Sequence, residues 1–310
     1  MSDALKGLYF FSRFAYSFSA LGFRQQRLFW KDRQGDFREQ RWLVTGASGG
    51  IGRAITEGAS AHGASVLAVA RSAEKLSQLI EDTAENVTSR PTDLSRTQEV
   101  EGLIDELAAS NNGTTIDVLV NNVGVLLNKH QLSTEGHELS FATNLLNHHV
   151  LTKGLIERGL LADDAIIINM SSGGMYNVPL KIDQLNCLDP DHYDGVLAYA
   201  YQKRAQVVLN SWWQERYADR DWRFYVMHPG WVDTEGVKTS LPAFRKLFQH
   251  VLRDAAAGAD TALWLASARP TQEDGGAIWF DRGERSPHLG SSTRRNSDTA
   301  EALVEFLDGL

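Results

Sequence analysis

Arg41-Trp42-Leu43-Val44-Thr45-Gly46-Ala47-Ser48-Gly49-Gly50-Ile51-Gly52-Arg53 passes from an apolar, β-branched run through a cluster of glycines into a helical pattern. The run Trp42–Thr45 has the length and composition of a buried strand. The segment 50–61 that follows has helical spacing. Glycines between a strand and a helix let the backbone turn tightly and approach a pyrophosphate closely. The helix start then offers unpaired N–H groups and the positive end of its dipole to the phosphates. Gly46, Ser48, Gly49, Gly50, Ile51 and Gly52 are therefore candidate cofactor contacts. A glycine-rich turn alone is a weak signal, and its place between strand and helix strengthens it.

Beyond this turn, short β-rich runs alternate with helical patterns. Strands are expected at Ser65–Ala70, Val118–Asn121, Ala165–Met170, Arg223–Met227 and Ala277–Phe280, with a weaker one at Val87–Arg90. Crossover helices fit 73–84 and 98–109. Alternation of this kind implies an α/β fold, a single doubly wound Rossmann-like domain whose parallel sheet carries helices on both faces. That domain spans 41–283, after an amphipathic helical extension (1–40) and before a C-terminal loop and helix (284–310). The last helix is expected to be capped near Ser297 or Asp298. Gly46-Ala47-Ser48-Gly49-Gly50 also matches the G-x-S-x-G elbow of α/β-hydrolases. Such an elbow normally follows several strands and this one follows the first, so the hydrolase reading is disfavoured.

Composition narrows the partners. The 310-residue chain is 43% hydrophobic and carries 39 acidic against 31 basic residues, a formal net charge of -8. A mixed, mildly acidic surface argues against nucleic acid as the main partner. The single cysteine, Cys187, forms no intramolecular disulfide and fits a reducing, cytoplasmic compartment. His130, His137, His148 and His149 have no recognised metal spacing, so no metal site is expected. Near the N-terminus, Leu8, Phe11, Phe14, Phe18 and Leu21 recur at helical steps beside Arg13, Arg24, Arg27 and Lys31. No uncharged run reaches the ~20 residues of a membrane span. The stripe would dock on the protein's own body or lie in a membrane interface, giving peripheral contact.

The end of the second strand, Ala70-Arg71, lacks the acid that an NAD enzyme places there for the ribose 2′-hydroxyl. Arg71, with Arg53 just after the glycine turn, would suit a 2′-phosphate, because planar guanidinium groups pair phosphate oxygens bidentately. NADP(H) is thus the expected cofactor. Asp93-Leu94 after the third strand would hydrogen-bond the adenine or simply form a turn.

Three further features follow in order: Asn121-Asn122-Val123-Gly124, Ser171-Ser172, and Tyr199-Ala200-Tyr201-Gln202-Lys203. Tyr199 and Lys203, four apart, share a helix face. Together with T-G-x-x-x-G-x-G at Thr45–Gly52, N-N-x-G at Asn121–Gly124 and P-G-x-x-x-T at Pro229, Gly230 and Thr234, the chain resembles the short-chain dehydrogenases/reductases from about Arg41 to Arg282.

The resemblance implies roles position by position. Tyr199 would be the general acid or base at the substrate oxygen, helped by Lys203, which also holds the nicotinamide ribose. Ser172 would orient the carbonyl. Asn144 aligns with the family's helix asparagine that positions a water in the proton relay. Thr234 would bind the carboxamide of the nicotinamide, and Asn122 and Gly124 would hold the sheet edge and cofactor. Departures include Asn147 for a common glycine, Gln202 for the usual serine before the lysine, and a longer interval between Ser172 and Tyr199 that resembles retinol-dehydrogenase-like branches.

The expected substrate is a small-molecule carbonyl or alcohol. Met175, Tyr176 and Trp231, with a lid from about Trp231 to Val251 (Leu241, Phe244, Leu247, Phe248), would make a lipophilic pocket or merely close the fold. Trp212-Trp213 would serve a homo-oligomer contact or be buried in the monomer. A catalytically silent NADP(H)-binding sensor or scaffold is the alternative function.

Overall fold

Trp42, Leu43, Val44 and Thr45 are all buried, as expected of a strand covered on both faces. The computed structural model describes residues 13–30, 35–110, 113–272, 276–290, 293–294 and 298–310. Its strands are β1 (Arg41–Thr45), β2 (Ser65–Ala70), β3 (Val87–Pro91), β4 (Ile116–Asn121), β5 (Leu161–Met170), β6 (Arg223–Met227), β7 (Ile278–Phe280) and β8 (Gly283–Arg285). They form one sheet in the order β3-β2-β1-β4-β5-β6-β7-β8. Only the β7–β8 pair is antiparallel. The strand order reverses between β1 and β4, so a crevice opens at their C-terminal ends, where sheets of this kind bind ligands.

The helices are α1 (Ala20–Arg27), α2 (Gly50–Ala61), α3 (Ala73–Asp82), α4 (Thr97–Ala109), α5, α6 (Gly195–Arg216), α7 (Glu235–Ser240), α8 (Pro242–Phe248), α9 (Ala255–Ala268) and α10 (Ala300–Asp308). Helix α5 is composite: Leu139–Phe141, a π-helical turn Ala142–Leu146, then Asn147–Glu157. Leu103, Leu151, Leu155, Ala205, Leu209 and Leu303 from α4, α5, α6 and α10 cover one sheet face. Ile55, Leu76, Leu79, Ala262 and Leu265 from α2, α3 and α9 cover the other. The doubly wound sheet inferred above is present.

Several boundaries differ for local reasons. The third helix stops at Asp82, because Thr83 is extended and its hydroxyl donates to Leu79 O at 2.7 Å. Helix α10 is capped by Thr299, whereas Asp298 accepts from Ile182 N; Ser297 lies outside the described residues. Part of the polar stretch after Gly283 forms β8 instead of a loop.

The single N-terminal helix is divided. Residues 13–18 are helical, and α1 begins after Ser19, whose extended backbone and hydroxyl cap it. Ser19 Oγ also donates to Tyr16 O at 2.7 Å. Phe18 is buried and stacks on Phe14, with its ring edge against His228, Trp231 and Phe280. Leu21 instead points to solvent, 52% exposed. Leu8 and Phe11 lie outside the described residues. Trp213 is buried between His149, Tyr217 and Phe224, so its indole serves the core of the monomer.

Candidate active site

The glycine turn closes β1 onto β4. Gly46 sits at φ +67, and a Cβ there would press 2.9 Å from Asn122 Nδ2. A Cβ on Gly52 would collide with Gly46 O and the same amide, so α2 approaches the turn only because Gly52 lacks one. Asn122 holds the junction: its Nδ2 donates to Thr45 O at 2.8 Å, and its backbone N donates to Thr45 Oγ1 at 2.9 Å. The N-cap of α2 is Gly49, with no side-chain cap and open space where a Cβ would stand. The first N–H groups of α2 therefore remain available to an anion. A dinucleotide's pyrophosphate fits this cradle of backbone donors and missing side chains.

Across the crevice, β4, β5, α5 and α6 bring four side chains together. Lys203 is fully buried and donates from Nζ to Met170 O, the last residue of β5, at 2.7 Å. The same Nζ lies 5.5 Å from the centroid of the half-buried Tyr199 ring. Ser172 lies just past β5, with its hydroxyl near enough to the Tyr199 phenol to pull that group's pKa down. A Cβ on Gly124 would stand 3.4 Å from Lys203 Nζ and 3.5 Å from Asn144 Oδ1, which places both groups at the end of β4. Asn144 sits in the π turn of α5 and forms a reciprocal pair with the Val125 backbone: Oδ1 accepts from Val125 N at 2.7 Å, and Nδ2 donates to Val125 O at 2.8 Å.

Burial dominates the electrostatics. It pushes Lys203 down to about 7 and Tyr199 up to about 12, against the pull of the Ser172 hydroxyl. The protein's own groups thus leave the Tyr199 phenol protonated. His148 beside them is pushed down to about 3 by burial and then by Lys203, so its imidazole is neutral.

The remaining expected contacts divide. Thr234 caps α7, and its Cγ2 lies 3.4 Å from the Cβ position of Gly50, at the glycine turn. Pro229 and Gly230 form the loop after β6, where Gly230 N donates to His228 Nδ1 at 3.0 Å and Pro229 O accepts from Arg253 Nη1 at 3.3 Å. Ser48 is half-buried in the turn. Ile51 packs its side chain toward α9, 3.1 Å from the Cβ position of Gly258, which leaves its backbone for a ligand. Arg71 is exposed at the end of β2. Arg53 is engaged elsewhere, with Glu57 at 2.7 Å and Asp82 at 2.8 Å. Asp93 forms a turn, its Oδ1 accepting from Ser95 N and Oγ, while Leu94 O accepts from Asn147 Nδ2 at 2.9 Å.

Met175 and Tyr176 are buried with Phe18, Val226 and Phe280. They face the N-terminal segment and close the fold there, the second of the two readings offered for them. Trp231 does meet Phe244 and Phe248 of α8, with centroids 5.1 and 5.0 Å apart. The lid is pinned by Ser240 Oγ donating to Leu126 O at 2.6 Å and by the Asp233–Arg245 pair. A cavity of about 210 Å³ lies beyond Tyr176, between Phe14, Phe280, Arg285 and Leu289, away from Tyr199. Among the described residues no cluster of three His, Cys, Asp or Glu could hold a metal. Gln202, Gln206 and Glu138, all buried around Asn144, carried no sequence signal beyond the substitution at 202.

The sequence pattern of the family described as short chain dehydrogenase matches residues 40–182. The bovine protein called Dehydrogenase/reductase SDR family member 12 is 35% identical over 280 residues, which cover 87% of this chain and 85% of that protein. The chain belongs to the short-chain dehydrogenase/reductase family. Mouse Retinol dehydrogenase 12 is 28% identical over 268 residues, 84% of this chain and 83% of that one. The crystal structure of a short chain dehydrogenase from Burkholderia cenocepacia in complex with NADP aligns with a TM-score of 0.60 at 20% identity, covering 75% of this chain and 92% of that one; it shares the fold. As a member of this oxidoreductase family, the chain is a hydride-transferring enzyme acting on small molecules.

Proposed function

We propose that this family member is an NADP(H)-dependent oxidoreductase for a lipophilic aldehyde or ketone and the corresponding alcohol. The convergence of Tyr199, Ser172, Lys203 and Asn144 across the crevice from the open start of α2 carries this reading. The nicotinamide supplies or accepts the hydride, and the chain's own groups do the rest. The backbone from Gly46 to Gly52 binds the pyrophosphate, with Asn122 and Thr234 beside it. Ser172 orients the substrate oxygen and stabilises charge developing on it. Tyr199, held protonated by burial, gives its proton to that oxygen in reduction. Lys203 and Asn144 hold the site's proton-handling end together.

The absence of an acid at Ala70-Arg71 supports NADP(H). With Arg53 tied to Glu57 and Asp82, the preference rests mainly on Arg71. The lipophilic class is supported by Val196 and Leu197, 52% and 41% exposed on the turn of α6 before Tyr199, and by similarity to a protein named a retinol dehydrogenase. A panel of long-chain aldehydes, aromatic ketones and short charged keto acids tests this with NADPH and NADH. Turnover of the apolar compounds with NADPH is expected. Turnover confined to keto acids would remove the lipophilic class, and cofactor binding without any turnover would favour the sensor. Arg71→Glu should weaken NADPH binding at least tenfold and leave NADH binding nearly unchanged.

The exposed residues Tyr16, Leu21, Leu28 and Phe29, beside Arg24 and Arg27, extend the proposal to peripheral contact with a membrane surface.

A further inference from the structure

Gln202, at the position before the site lysine, is completely buried and joins two parts of the molecule. Its Oε1 accepts from Asn144 Nδ2 at 2.8 Å. Its Nε2 donates to Glu138 Oε2 at 3.0 Å, with Ser140 Oγ at 3.1 Å and Leu185 O at 3.4 Å close by. Glu138 is also completely buried. Its carboxyl accepts from Ser140 N at 2.9 Å, Ser140 Oγ at 2.6 Å, Phe141 N at 2.7 Å and Tyr193 OH at 3.2 Å. Its backbone N donates to Asn186 Oδ1 at 2.8 Å.

The polarity of this chain of groups runs one way. The Glu138 carboxyl already accepts from Ser140 N, Ser140 Oγ and Phe141 N, and a carboxylate only accepts hydrogen bonds. Gln202 must therefore turn its NH2 toward Glu138, which leaves its oxygen facing Asn144. Asn144 must in turn present an N–H to Gln202, so its oxygen faces Val125 N. A flipped Asn144 amide would set N–H against N–H at Val125 and oxygen against oxygen at Gln202. In a buried site each such mismatch leaves polar groups unsatisfied.

We infer that Gln202 and Glu138 are positioning residues that fix the orientation of the Asn144 amide beside Lys203 and couple it to the segment containing Leu185, Asn186 and Tyr193. Neither side chain reaches the reacting atoms; both act through Asn144. The segment they tie in lies in the long interval between Ser172 and Tyr199, so its order is linked to the proton-handling end of the site. The inference rests on the proposed reductase reading for its kinetic consequence and on the geometry alone for its structural one.

Gln202→Met keeps the side chain's length and removes both hydrogen-bonding functions; Glu138→Gln removes the acceptor-only partner while keeping the shape. Each is compared with the natural protein in kcat, KM, the Kd of NADPH and amide hydrogen exchange at Val125. The expected result is a kcat lower by about tenfold to a hundredfold, as small misplacements near the chemistry produce, with KM and Kd within threefold. Exchange at Val125 should quicken about tenfold while the amides of β1 keep their protection. Unchanged kcat and Val125 exchange in both variants would overturn the inference. So would a parallel loss of NADPH affinity and of β1 protection, which marks general loosening. If Gln202→Met does not fold, Glu138→Gln carries the test. If the natural protein turns over no carbonyl, the reductase reading fails separately, and Val125 exchange still decides the positioning role.

Discussion

Lys203 keeps its amine where α6 and the end of β5 shut out water, with Met170 O as its hydrogen-bond acceptor. Burial lowers its pKa from 10.5 to about 7. The unfolded chain therefore holds this proton at pH values where the folded chain has released it. Stability from this group rises with pH between about 7 and 10.5, and the burial penalty is full below that window. Lys203→Met should thus raise Tm relative to the natural protein most at pH 6 and progressively less toward pH 10, read by calorimetry. A gain independent of pH would contradict the burial account. The spacing of Tyr199 and Lys203 was legible because four residues make one helical turn. The partnership of Gln202 with Glu138 was not, because 64 positions separate them and only the folded sheet brings α5 against α6.

Among the elements, the N-terminal segment is joined to the cofactor side by one buried arginine. Arg253 makes a bidentate pair with Asp281 at 2.6 and 2.8 Å, and both side chains are almost fully buried. The same guanidinium donates to Phe18 O at 3.0 Å, Ser17 O at 2.7 Å and Pro229 O. Trp231 N donates to Phe18 O as well, so the turn between residue 18 and α1 braces the loop that carries Pro229 and Gly230. Removing one partner of such a pair strands a buried charge, at a cost of about 3–5 kcal/mol. Arg253→Met should lower the urea midpoint accordingly and weaken NADPH binding, whereas Arg38→Ala, which breaks an exposed pair with Asp36, should leave the midpoint unchanged. Equal effects of the two would contradict the bracing role. The apolar spacing that marked this segment was readable, but its break at Ser19 was not. Capping at that serine depends on where Phe18 docks.

For the whole molecule, the alternation of strands and helices was enough to anticipate a parallel sheet, since each crossover helix must cover the sheet it leaves. The antiparallel β8 escaped notice because three polar-flanked residues carry no periodic signal. Of the two arginines proposed for a 2′-phosphate, Arg71 stands exposed at the end of β2, whereas the ion pairs of Arg53 with Glu57 and Asp82 join residues from α2 and α3 that sequence spacing does not bring together. No described helix is long and apolar enough to cross a membrane. With a net charge of -8, attraction to an anionic bilayer would have to come from the local arginines and the apolar tip at Leu28 and Phe29, 81% and 78% exposed. Leu28→Glu with Phe29→Glu should abolish flotation with phosphatidylserine-containing liposomes and leave the melting temperature unaltered. Persistent flotation would place the contact elsewhere.

The most direct test compares the natural protein with Tyr199→Phe, first for NADPH binding by tryptophan fluorescence and then for carbonyl-dependent NADPH oxidation. The prediction is unchanged NADPH affinity and a loss of turnover of about a hundredfold or more, the contribution of a positioned acid. Equal turnover by both proteins, or turnover by neither despite normal binding, would contradict the assignment of Tyr199 as the acid of a working reductase.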